Sequence, residues 1–400
     1  MMKRILVFLF FCSVLFGQDA TISVVNKGMQ LPTIFIKDQS KLSDLDLKKS
    51  FYNMLINDIK VSSNFELSQD EAKSDYVFSY VLNKNGKLLD IDVEVLAANE
   101  TKTRFYEQIL SVEEYPFLAH RSVAQMNRKL GFSPVDWMDH KILIARTQGS
   151  KHSDILLADY TLTYQKVLIS KGLNLFPKWA NKEQSAFYFT AYEDEIPTLY
   201  KYNMKNKNIT KIIASKGMMV ASDVSDDGKK ILLTMAPKDQ PDVYLYDIDT
   251  KNLTQITSYI GIDVNGNFVD DDKKIVFVSD RLGYPNIFMQ NLDSNLTEQV
   301  VFHGKNNSSV STYKHYMVYS SREINQSGVF NLYLMSTQSD YIRQLTANGK
   351  NLFPRFSSDG ESVVFIKYLG SQSALGVIRI NANKAFHYGL KVGKIQSIDW

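Results

Sequence analysis

Six histidines could supply proton transfer or metal ligation: His120, His140, His152, His303, His315 and His387. They are scattered, with no H-E-x-x-H and no pair at ligand spacing on one element. A nucleophile elbow would read G-x-S-x-G, and a phosphate cradle would read as a P-loop or G-x-G-x-x-G; none of these occurs. Asp263-Val264-Asn265-Gly266-Asn267 opens like a calcium loop, with oxygen donors at alternate positions. Its sixth residue is Phe268 where the sharp turn needs Gly, and its twelfth is Lys274 where a bidentate Glu is needed. The expectation is therefore no metal and no cofactor, with Asp270-Asp271-Asp272 as a solvated turn. Two sequons, at Asn295 and Asn325, have an acidic residue two positions earlier (Asp293 and Glu323), so either is a candidate glycan acceptor.

At the N-terminus Met1-Met2-Lys3-Arg4 is a short positive start and Ile5 to Phe16 is an apolar run. That run is too short to span a bilayer and suits a signal peptide (1–17) cleaved near Gly17. No other stretch is long and apolar enough to cross, so an integral membrane protein is not expected. Cys12 is the only cysteine and has Phe10-Phe11 before it, against a lipoprotein signal. It leaves with the signal peptide, and the mature chain has no thiol chemistry. With a net charge of +3 and no run of Lys and Arg, nucleic acid is not an expected partner.

The elements that would position any site come from an internal repeat. Segments beginning at Asp154, Thr198, Asp242, Asn286, Asn331 and Ala374 share a polar or small residue followed by alternating aliphatic and aromatic residues. Their spacings are 44, 44, 44, 45 and 43 residues. Each is preceded by a β-rich run, such as Ile275-Val276-Phe277-Val278, and followed by a turn and a shorter strand. Four strands per unit at that period predict a six-bladed β-propeller over 136–400. The first unit lacks an innermost strand and the chain finishes on Ile395 to Trp400, which would complete it and remove two sheet edges. Tyr200, Tyr244, Phe288 and Tyr333 recur at one blade position and are expected to pack between blades.

Residues 18–133 lack the repeat. Thr21 to Asn26 and Thr33 to Lys37 read as strands, and Leu47, Phe51, Met54, Leu55 and Ile59 as a helix capped by Asp46. Tyr76 to Leu82 and Leu88 to Leu96 read as a hairpin around Asn85-Gly86. Ala119, Val123, Met126 and Leu130 mark a second helix, from Pro116 to Gly131. The fold class is thus a small α+β N-terminal domain followed by an all-β propeller.

This order resembles the TolB family, through Phe117 to Ala124, Lys129-Leu130-Gly131-Phe132, Ile142 to Arg146 and Val224-Ser225-Asp226-Asp227-Gly228. The chain departs from the family pattern in that only two units keep the Asp-Gly turn, Asp227-Gly228 and Asp359-Gly360. The resemblance implies a periplasmic, non-enzymatic component of the Tol–Pal system, serving outer-membrane integrity and cell division. Its implied partners are the lipoprotein Pal, TolA and further outer-membrane proteins. Pal would meet the loops leading into the inner strands, at Asn174, Phe176, Met218, Met219, Val264, Asn306, Asn351 and Phe353. TolA would meet the N-terminal segment, with Asp19, Ile22, Val24, Lys27, Gly28 and Leu31. Read from the residues alone, the alternative is that this segment is an ordinary edge strand of the first domain. The competing class is a propeller enzyme or sugar-binding protein using the central tunnel. That reading needs carboxylates or histidines converging there, and no acidic inner-strand position recurs.

Overall fold

The computed structural model describes residues 30–149, 151–193, 195–322 and 327–400. The expected signal peptide (1–17), the strand expected at Thr21 to Asn26, and Asp19, Ile22, Val24, Lys27 and Gly28 lie outside them, as does Asn325. Pro32–Trp400 form one unit.

Its first layer is a five-stranded sheet: β1 (Thr33–Asp38), β2 (Glu66–Leu67), β3 (Tyr76–Asn85), β4 (Leu88–Ala97) and β5 (Glu100–Ile109), in the order β2-β1-β3-β4-β5. Gly86, at φ +64°, turns β3 into β4. On β4 the alternate residues Leu89, Ile91, Val93 and Val95 are buried, as a strand with one covered face requires. That face is covered by helices α1 (Leu45–Ser62) and α2 (Tyr115–Leu130), whose Phe51, Leu55, Ile59, Leu118, Val123 and Met126 share its core. The cap of α1 is Asp44 and not Asp46: its carboxylate accepts the Leu47 N–H at 3.1 Å. Asp46 sits in the first turn instead, where the helix dipole favours it. Helix α2 ends on Gly131 at φ +76°, and the Phe132 N–H closes back on the Asn127 carbonyl.

Six sets of four strands follow. Their innermost strands are, in blade order, Lys394–Asp399, Asn174–Trp179, Met219–Val224, Asp263–Val269, Lys305–Tyr313 and Lys350–Phe356. The last strand of the chain, Lys394–Asp399, pairs antiparallel with Ile142–Gly149 of the first blade. Blades 3 and 6 turn from the inner to the second strand through Ser225 to Gly228 and Ser357 to Gly360, each closed by the Gly N–H on the Ser carbonyl.

Neighbouring blades share apolar cores. Leu232 and Val243 of blade 3 pack with Ile275, Phe277 and Phe288 of blade 4, and Val278 and Met289 of blade 4 with Met317 and Tyr333 of blade 5. The recurring aromatics also pair across strands within a blade, Tyr200 stacking on Phe189 at 5.5 Å and Tyr333 on Tyr319 at 5.9 Å. In blade 6 the same position is Gly376, and the Phe365 ring lies directly over it, where any Cβ would collide. The aromatic is kept, but on the neighbouring strand.

The seam between blades 6 and 1 differs, because α1 and α2 lie against it. Ile142, Ile144, Leu156, Val364, Ile366, Leu375, Ile395 and Ile398 run into the helical core without a break. Within this core lies a fully buried polar cluster. His120 Nδ1 is 2.8 Å from an Asp58 carboxylate oxygen, and its Nε2 is 3.3 Å from Asp159 of blade 1. The Tyr160 hydroxyl donates to Asp58 at 2.5 Å, and the Tyr388 hydroxyl of blade 6 donates to Asn57 at 3.0 Å. Burial alone would lower the His120 pKa, but Asp58 and Asp159 outweigh it and raise it to about 10. Burial likewise opposes ionisation of Asp159, and the bonds from His120, Thr161 and the Tyr164 N–H hold its pKa below the ordinary value.

Candidate functional site

Every inner strand enters the ring from the same end, so the loops leading into them form one mouth. Four of these strands carry an amide or carboxylate at equivalent positions: Asn174, Asp263, Asn307 and Asn351, all buried. Asn174 donates to the Lys171 and Ser153 carbonyls, and Asn351 to the Asn348 and Phe330 carbonyls. Asn307 donates to the His303 carbonyl at 2.8 Å, so in blade 5 the tie is Asn307, one residue past Asn306. Asp263 instead holds Arg281 through both carboxylate oxygens at 3.1 Å. These polar groups fix loop geometry from beneath.

The expected contact residues therefore separate by depth. Asn174, Met219 and Asn351 are buried, whereas Phe176, Val264, Asn306 and Phe353 are half-buried and Met218 is exposed. Phe176, Asn306 and Phe353 hold φ of +50°, +55° and +54°, at irregularities of the inner strands. For Phe176 and Phe353 these are the β-bulges that break the ladder to the second strand. Of the N-terminal set only Leu31 is described, and it is half-buried.

Three loop tips were not singled out by sequence reasoning: Ile260 is 87% exposed, Phe302 81% and Val392 63%, each, like the expected Met218 at 47%, on a loop entering an inner strand. The Ile260 loop is clamped on both sides of its tip. Gln240 donates to the Tyr259 carbonyl, Asp280 accepts the Ile262 N–H at 2.9 Å, and the Arg281 guanidinium lies 5.2 Å from the Tyr259 ring centre. A Cβ at Gly261 would strike the Asp280 carboxylate and the Tyr259 ring, so glycine lets both side chains close on the loop. An apolar side chain held out on a braced loop is a preorganised contact, because little loop entropy remains to be lost on docking. The only advance signal was position: these loops close a repeat, and their tips need no side chain for packing.

At the other end of the ring, a cavity of about 320 Å³ is lined by His140, Lys178, Lys182, Asp223, Asp226 and Asp272 among others. Against the expectation that no acidic inner-strand position recurs, Asp223 and Asp399 occupy one register, pairing with Leu232 and Leu143 of their second strands, and they converge here. Lys178 Nζ lies 3.1 Å from both Asp223 and Asp399, and Arg355 lies 3.3 Å from Asp399. Burial disfavours the Lys178 ammonium, but Asp399 and Asp223 raise its pKa. Asp399 also accepts the Trp179 N–H and Asp223 the Phe268 N–H. The group is a set of ion pairs tying four blades together, in which the buried Arg355 Nε makes no hydrogen bond. Among the described residues, no group of three His, Cys, Asp or Glu is placed to hold a metal ion. The calcium-like run spends Asp263 on Arg281, and the exposed Asn295 sits in a turn at φ +58°.

The sequence profile described as the TolB beta propeller domain matches residues 139–400. A Campylobacter jejuni protein named Tol-Pal system protein TolB is 65% identical, each chain being covered in full. A Wolinella succinogenes protein of the same name is 46% identical, over 99% of this chain and all of its own. Among solved structures, TolB from Acinetobacter baumannii superposes with a TM-score of 0.78 at 17% identity, covering 92% of this chain and 96% of that one, a likeness of fold.

Proposed function

The chain belongs to the TolB family of Tol-Pal system proteins, and on that premise we propose that it is a non-enzymatic periplasmic scaffold. In this reading a signal peptide (1–17) is removed, an α+β domain (18–133) follows, and the propeller (136–400) presents its mouth to the lipoprotein Pal. Met218, Val264, Phe176, Asn306 and Phe353 contact Pal, with Ile260 and Phe302 as the outermost anchors. Asn174, Met219 and Asn351 shape the loops from below. The N-terminal segment from Asp19 through Ile22, Val24, Lys27 and Gly28 to Leu31 engages TolA. The scaffold thereby supports outer-membrane integrity and constriction during division.

The observation that carries this reading is the pair of large apolar side chains, Ile260 and Phe302, held almost fully exposed at one mouth. Apolar loop tips grouped at one end of a rigid ring are what a protein-binding face requires. The tunnel-ligand alternative is not favoured, since Asp223 and Asp399 are already neutralised by Lys178 and Arg355. Affinity capture from detergent-solubilised envelopes tests the scaffold. Recovery of an outer-membrane lipoprotein is expected, and its absence would contradict the reading.

A further inference from the structure

The mouth is charged as well as apolar, and its charge is uneven. Three consecutive blades begin their inner strands with lysine: Lys305, Lys350 and Lys394. Each ammonium rests near an aromatic ring. Lys305 lies 5.8 Å from the Tyr284 centroid, Lys350 lies 5.5 Å from Tyr368, and Lys394 lies 4.9 Å from the same Tyr368. Among the described residues none of the three enters an ion pair; ring faces are their partners. Elsewhere in the ring inward lysine is matched by acid, as Lys178 is by Asp223 and Asp399. The entry loops add Lys171, Lys216 and Lys391, all exposed.

Lys350, Tyr368 and Lys394 line one open cleft of about 470 Å³ with Thr147, Leu352 and Gln396. Two cations beside one ring repel each other, and a ring face compensates neither charge as a carboxylate would. An anion entering the cleft would relieve that repulsion. The cation–π contacts also hold both long side chains in place, so little rotamer freedom is lost when it arrives. Val392, two residues from Lys394, and Phe302, three from Lys305, set apolar tips beside these charges. Apolar anchors within a charged rim are the anatomy of a protein interface rather than of a lipid or phosphate site.

Resting on the scaffold reading above, we propose that Lys350, Tyr368 and Lys394 form a carboxylate-reading notch, and that the partner docks there with an acidic polypeptide segment. The notch steers and registers the partner while the apolar tips supply the buried contact.

Titration calorimetry of the full mature chain against the soluble domain of Pal, at 50 and 300 mM NaCl, tests this. The double variant Lys350→Gln, Lys394→Gln is expected to bind roughly tenfold more weakly at low salt and with a shallower salt dependence. Lys251→Gln, on the opposite face, is expected to match the unaltered chain. Equal affinity and equal salt dependence in the double variant would overturn the notch and leave the scaffold standing. No binding by the unaltered chain would overturn the scaffold reading and the notch with it. Sedimentation with phosphatidylglycerol vesicles that disappears in the double variant, beside unchanged Pal affinity, would overturn the peptide in favour of a lipid surface.

Discussion

Between blades 3 and 4 the contact is made by Leu232, Val243, Phe277 and Phe288, whereas between the helices and blades 1 and 6 it is centred on Asp58, His120, Asp159 and Tyr160. Both seams are buried, yet they obey different rules. An apolar seam asks for volume, and neighbouring side chains adjust to moderate changes of shape. The polar seam asks for charge and geometry together, because each group lost leaves its partners buried and unmatched. A ring built from repeated apolar seams can therefore diverge freely in sequence, while the single junction to the helices is fixed by a few side chains.

Removing Lys394 to Trp400 should have the largest effect. It opens both faces of the blade 6–1 seam and strips the innermost strand of blade 1, so the expected outcome is loss of cooperative unfolding. A melting transition like that of the full chain would mean the ring holds without it. Next come matched conservative exchanges at the two seams, read by urea midpoint. His120→Asn keeps a polar group but no cation between two carboxylates, and should cost roughly 3–5 kcal/mol. Phe277→Leu should cost less than about 1.5 kcal/mol. Similar costs would erase the distinction.

The comparison sharpens further with pH. Because the folded pKa of His120 is raised to about 10, its contribution is complete below the unfolded value near 6.5. It is then lost as pH climbs towards 10. The depressed Asp159 works oppositely, contributing above its ordinary value and failing in acid. The melting temperature should therefore fall between pH 6.5 and 10 in the unaltered chain and fall less steeply in His120→Asn; parallel profiles would remove His120 from the account. The smallest effect belongs to the mouth. Ile260→Ala should leave stability within about 0.5 kcal/mol, since its side chain is 87% exposed.

The repeat was legible because each blade writes its strands in the same order, and period alone betrays it. The helices were legible from Phe51, Leu55, Val123 and Met126 at helical spacing. Strand β5 was not, because Glu100 to Gln108 alternate among polar and aromatic residues whose two faces look alike in sequence. Asp44 and Asp46 are both plausible caps, and only the Leu47 N–H decides between them. The Asp58–His120–Asp159 cluster joins residues 62 and 39 positions apart, so no local spacing announces it and His120 reads as one scattered histidine among six. At the mouth, sequence pointed to the loops that enter the inner strands but not to the depth of their residues. Asn174 and Asn351 are buried ties, and Ile260 and Phe302 are the exposed tips.

The most direct measurement is capture of Pal by the mature chain carrying Ile260→Asp and Phe302→Asp, with its melting temperature recorded on the same preparation. If the mouth is the binding face, Pal is no longer retained and the melting temperature is unchanged. Pal retained at the level of the unaltered chain would contradict the account, and would place the binding face elsewhere.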